Sequence, residues 1–395
     1  MEKYKFDLQF HAGTGGSPGP VYTTTLDRDR RAIDMAKTIA QLYPEADPYA
    51  VILMKARKEG TDTSEFMWFD DEPVGWWTQI NSETGHLATD TELQVVDGSI
   101  YAAQDIIKVP RTGEVLRVTA VTDNTLTVVR GYGTTAEAAL ENEDWIVRTG
   151  NAMEENSRVP ASKLNQPGKF YNYTQIVRTP FDESMTSAHE KKRAGGKERT
   201  RIRAKKMLEH RLDIARISLW GEKKEDLSGG KPRRMTAGVN SFVQTFRKDV
   251  GGGMTEAEWE EFLEMGFTYG SKSKLFVCSR TVGGAVNMIA QNKIVTSSGE
   301  ETYGIRLPKY HSFHGDVYIA VDRSLENAYG GYGFLLDMKN IAYRPLNGRD
   351  TKLHPNIQAP DLDGWMDEYL TEFGMMVRQE KTHAVLFNCT GFAAA

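Results

Sequence analysis

Residues 186–221, TSAHEKKRAGGKERTRIRAKKMLEHRLDIARISLWG, decide the architecture of this chain. Apolar side chains recur at threes and fours through Ile202, Leu208, Leu212, Ala215 and Leu219, a single stripe on an otherwise charged helix. Gly221 closes it, and the spacing predicts one helix over 186–221, roughly 45–50 Å long at about 1.5 Å per residue. Gly195-Gly196 is the weak point, because glycine forms helix poorly. A helix this long with one apolar stripe needs a broad surface to lie on.

Just upstream, Phe170 to Val177 reads as a strand. Further back, between His86 and Gly150, the apolar period falls to two. Short strands are expected at 93–96, 106–109, 114–121, 126–130 and 145–148, separated by turns such as Asp97-Gly98 and Asp123-Asn124. Strands this short and close together predict a small antiparallel barrel or sandwich. Before it, Phe66, Trp68, Phe69, Trp76 and Trp77 crowd around Asp70, Asp71, Glu72 and Pro73. That composition suits a core and a partner surface about equally. Residues 1–25 hold Gly13, Gly15, Gly16, Pro18, Gly19 and Pro20 and read as a flexible arm, followed by two short helices.

Downstream, Thr255 and Glu258 form a capping box ahead of Trp259, Phe262, Leu263 and Phe267. Strands at 275–278, 317–321 and 334–337 alternate with a helix over 281–292, which predicts mixed α and β around a central sheet. Two strands, 369–378 and 382–387, close the chain. The fold class is therefore α+β.

The chain has 395 residues, net charge −5 and two cysteines, Cys278 and Cys389. No apolar run approaches the roughly 18 residues of a membrane span, and no secretory leader is read at Met1–Phe10, so a cytoplasmic origin and free thiols are expected. No phosphate-binding loop or nucleophile elbow is present, and His311 with His314 lacks further ligands beyond Asp316. We expect no enzyme, cofactor or metal. Nine Lys and Arg between Lys191 and Lys206 suggest a nucleic-acid contact, a solvated face or a contact between subunits. The net negative charge favours the last two.

In order and spacing these pieces resemble the major capsid proteins of tailed bacteriophages, in the branch whose extended loop carries a β insertion. The resemblance rests on Phe6-Asp7-Leu8-Gln9-Phe10, Tyr171-Asn172-Tyr173-Thr174-Gln175-Ile176 and Lys205-Lys206-Met207-Leu208-Glu209-His210. Gly348-Arg349-Asp350-Thr351-Lys352-Leu353 and the stretch Val377 to Ala384 complete it.

The resemblance implies an N-terminal arm with short helices over 1–60 and an extended loop over 61–170 with its β insertion domain at 86–150. It further implies a peripheral domain over 171–239 with a spine helix, an axial domain over 240–345, and a return to the peripheral domain over 346–395. It implies an icosahedral shell of pentamers and hexamers around double-stranded DNA. The expected partners are further copies of the chain, a portal, a separate scaffolding protein and packaged DNA held without sequence preference. No membrane is expected, and the chain would reside in the virion after synthesis in the host cytoplasm. Subunit contacts are expected at Tyr22, Trp68, Trp76, Trp77, Arg193, Arg199 and Arg203. The rival readings are a nanocompartment shell of similar fold, a virion-associated carbohydrate-binding protein, and a hydrolase whose site is hidden.

Overall fold

The computed structural model describes residues 47–158, 166–191, 197–290, 301–302 and 305–393. At its centre lies a mixed six-stranded sheet. Its order is Arg247–Met254, Ala384–Phe392, Gly333–Leu336, Ser273–Cys278, Asp316–Val321 and Lys309–His311. The central strands Gly333–Leu336 and Ser273–Cys278 are buried on both faces, which is why they read as nearly unbroken apolar runs. Alternate side chains enter different cores. Phe276, Cys278, Leu335, Ala384 and Leu386 meet the helices Glu256–Phe267 and Arg280–Ala290. Leu275, Val277, Phe334, Leu336 and Val385 meet the opposite layer, formed by helix Pro48–Lys55 and the long helix. The capping box is in place, with the Glu258 N–H donating to Thr255 Oγ1 and the Thr255 N–H to Glu258 Oε2.

The second sheet is organised by strand Gly364–Val377, 14 residues long. It pairs along its length with Gln175–Ser184 on one edge. The other edge takes Ile341–Pro345 and Lys352–His354 in turn. Two expected boundaries change here. Ile341–Pro345 belongs to this sheet and not to the unit expected over 240–345. The last strand, Ala384–Phe392, leaves this sheet and lies inside the six-stranded one. An apolar run with both faces covered does not declare which sheet it joins.

The long helix spans Glu198–Trp220, 23 residues and about 34 Å at about 1.5 Å per residue. A single helix over 186–221 does not form: Met185–His189 is a separate turn capped by Ser184, and Glu190 is extended. The glycine pair falls among residues 192–196, outside the described residues. The buried face is His210, Ile214, Ala215, Ser218 and Leu219. Two of these are polar and matched by hydroxyls. His210 bridges Thr179 and Thr371 at 2.8 and 2.7 Å, and Ser218 donates to Tyr49 Oη. Leu208 and Leu212 are only half-buried.

From the body a two-stranded ribbon, Glu65–Asp70 with Gly168–Tyr173, leads to a six-stranded antiparallel sheet over 77–151. That sheet begins earlier than expected, because Trp77–Gln79 is one of its strands, paired with Trp145–Asn151. Its two ends meet at the Ile80–Val95 bridge, flanked by Val96 N–H to Gln79 O and Asn81 N–H to Gln94 O. The sheet is therefore a closed barrel. Its interior is filled by Ile80, Leu93, Val95, Ile107, Leu116, Val118, Leu126, Val128 and Ile146 among others, all from the barrel itself.

Candidate assembly surfaces

Alternate pairs along an antiparallel ribbon point to opposite faces. On the inner face Phe66 opposes Asn172 and Trp68 opposes Phe170. Phe66 and Trp68 bury themselves against Ala342, Met376 and Phe242, and Trp68 is only 5% exposed. Gly374 makes room: a Cβ there would lie 2.4 Å from the Phe66 ring. Asn172, fully buried, brings its amide nitrogen within hydrogen-bond distance of Thr236 Oγ1, Ala237 O and Met375 O. Its Oδ1 accepts from the Ala237 N–H. Trp68 thus anchors the ribbon within its own chain, where the expectation had placed it at a surface.

The outer face holds Met67 opposite Tyr171 and Phe69 opposite Lys169. Met67, Phe69 and Tyr171 are all exposed, and Lys223 lies 3.6 Å above the Tyr171 ring. On the barrel wall nearby, Thr78 and Ile146 point inward, so Trp77 and Trp145 point out. Trp76 is 66% exposed, Trp77 and Trp145 50% each, and the first two rings meet edge to face. At up to about 250 Å² per indole, these three leave roughly 400 Å² of aromatic surface in water. A patch of that size is comparable to the largest apolar patch on a typical monomer, which is often functional. Trp145 was readable beforehand, since it alternates with the apolar Ile146. Phe313, fully exposed in the turn between Lys309–His311 and Asp316–Val321, had no such signal.

Arg199 and Arg203 sit elsewhere. Both grip the buried carboxylate of Asp367, at 2.6 and 2.8 Å, and Arg199 stacks over Trp365. Burial pushes the Asp367 carboxyl upward, but hydrogen bonds from the two guanidinium groups and the Asn356 N–H outweigh it and hold it at about 2. The two arginines therefore fasten the long helix to strand Gly364–Val377. Arg201 pairs with Glu198, and Lys205 and Lys206 pair with Glu209. Five cations of the described part of the basic stretch thus share three carboxylates of the same chain, which leaves the helix face net positive. Arg193 and Tyr22 lie outside the described residues.

Among the described residues no three His, Cys, Asp or Glu side chains are arranged to hold a metal. His311 bonds Asp316 at 2.6 Å, and His314 approaches Glu260. No helix among the described residues is long and apolar enough to cross a membrane.

The described chain thus combines a barrel-tipped ribbon, a long helix on a four-stranded sheet and a mixed sheet with its own helices. A family model described as SU10 major capsid protein matches residues 17–390, and the chain belongs to that family. The major capsid protein of Pseudomonas phage PaMx41 is 23% identical over 287 residues, 68% of each chain. Among solved structures, the capsid of a native GTA particle is similar at 10% identity and a TM-score of 0.49, over 94% of this chain and 98% of that one. The capsid of Myoviridae phage XM1 is similar at 9% identity and 0.46, over 95% and 100%. The SrpI encapsulin of Synechococcus elongatus PCC 7942 is similar at 9% and 0.46, over 92% and 95%.

Proposed function

We propose that this member of the family builds an icosahedral shell of pentamers and hexamers around a double-stranded DNA genome, as a structural part without a reaction of its own. The observation that carries this reading is the aromatic surface of Trp76, Trp77 and Trp145 on the barrel, which the described residues leave half exposed or more. Ribbon and barrel form the extended loop that reaches a neighbouring copy. The six-stranded sheet with its helices is the axial unit, and the four-stranded sheet with the long helix is the peripheral unit. A portal, a separate scaffolding protein and loosely held DNA complete the assembly, and the subunit is made in the host cytoplasm.

The test is the triple variant W76A/W77A/W145A. Each ring still packs up to about 125 Å² of its surface, so each replacement should cost up to about 3 kcal/mol of barrel stability. Circular dichroism should therefore be checked at the assay temperature to confirm a folded subunit, while sedimentation and negative-stain microscopy show loss of the uniform capsomers or shells formed by the parent chain. A triple variant that assembles normally removes the patch from the interface. A parent chain that stays monomeric at every concentration, with scaffold supplied, defeats the shell.

A further inference from the structure

One turn, Gln379–His383, carries the chain from the four-stranded to the six-stranded sheet, and three units of the molecule meet on it. On its ribbon side the Gln379 N–H donates to Asp70 Oδ2 and its Nε2 to Asp71 O, both at 2.9 Å. Lys381 Nζ bonds Glu72 at 2.5 Å. Asp70 ends the ribbon strand, and Asp71 and Glu72 begin the connector to the barrel. On its body side Lys274 Nζ donates to Thr382 O, and also to Gly266 O and Tyr269 O at the end of helix Glu256–Phe267. Asn340 Nδ2 donates to Thr382 Oγ1, which donates in turn to Gln379 O. The Asp337 N–H donates to His383 Nδ1, and Glu380 accepts from the Gln244 N–H.

We infer that this turn is a latch, which fixes the ribbon against the six-stranded sheet and opens on its ribbon side. The two sides are unequal. Lys274, Thr382 and His383 are buried, and their bonds are shielded from water. Lys381 and Glu72 have side chains 37% and 48% exposed, where an ion pair is weak and screened by salt. Gln379 adopts φ 49, a left-handed conformation that a non-glycine residue holds only when its surroundings enforce it. A cleft of about 250 Å³, lined by Asp70, Glu72, Gly168, Phe170, Gln379 and Glu380, gives the ribbon end room to move. The chain Asn340–Thr382–Gln379–Asp70 connects the loop between strands Gly333–Leu336 and Ile341–Pro345 to the ribbon. The latch lies within one chain and does not depend on shell formation.

Hydrogen exchange of the purified full chain, read by peptide, tests it with three variants. K381E sets a carboxylate among Asp70, Asp71 and Glu72. It should speed exchange at 66–76 and 377–383 by roughly five- to tenfold, with barrel strands 105–129 unchanged. The charge swap E72K/K381E should return most of that protection. N340A should loosen 66–76 as well as 377–383. The latch is overturned if K381E leaves 66–76 unaltered, or if the swap fails to restore it. It is also overturned if N340A loosens the turn alone.

Discussion

His383 sits fully buried just ahead of the last strand, with Nδ1 accepting from the Asp337 N–H, so that the neutral ring carries its proton on Nε2. Burial, reinforced by the positive charge of Lys274, lowers its pKa to about 4. Because the folded value lies below the ordinary 6.5, His383 contributes stability that is complete above pH 6.5 and is lost as pH falls through 4. By about pH 4.5 the loss should reach about 2–3 kcal/mol. Urea unfolding at about pH 7 and about pH 4.5 checks this: H383Q should lose markedly less stability between the two than the parent chain, and equal losses would refute it. Asp367 has the same sign lower down, its stability present above 3.8 and lost toward 2. Asp367 did not announce itself in the sequence: one aspartate among many looks like a surface residue, and only the packed structure shows the two arginines it faces. The same holds for His210 and Ser218, polar members of the helix's buried stripe that an apolar count passes over.

The elements were legible where local chemistry decides them. Barrel strands alternate and are punctuated by turn residues, and the capping box at Thr255 marks its helix start. Closure of the barrel was not legible, because it depends on Ile80 meeting Val95 across separate strands. The barrel's polar framework was equally hidden. Glu114 and Arg130 form a buried bidentate pair whose remaining atoms bond Leu87 O, Asp90 O and the N–H groups of Gly131 and Ala138. Removing one partner strands a charge in the interior, so E114A should destabilise the barrel by about 3–5 kcal/mol. The barrel core draws only on residues 80–146. Calorimetry should therefore show an early barrel transition in E114A with the body's transition unmoved. One common shift of both would contradict independent folding.

At the scale of the whole molecule, the order of the parts could be read from the sequence, while the exchange of strands between sheets could not. Chain order says that strand Ala384–Phe392 follows strand Gly364–Val377, but not that the turn between them changes sheets. The described cores are assembled from Tyr49 onward. Removal of residues 1–25 should therefore leave the melting of the subunit unchanged while weakening shell assembly, measured by sedimentation of parent and truncated chains side by side. A truncated chain that assembles equally well would exclude a clasping role for the arm. Strands Trp77–Gln79 and Trp145–Asn151 are hydrogen-bonded neighbours, so the barrel's entrance and exit lie side by side. A gene can acquire or shed such a cassette in one event without moving the ribbon ends. Foreign sequence grafted into it would leave the ribbon's path unchanged, provided that Trp76, Trp77 and Trp145 are kept.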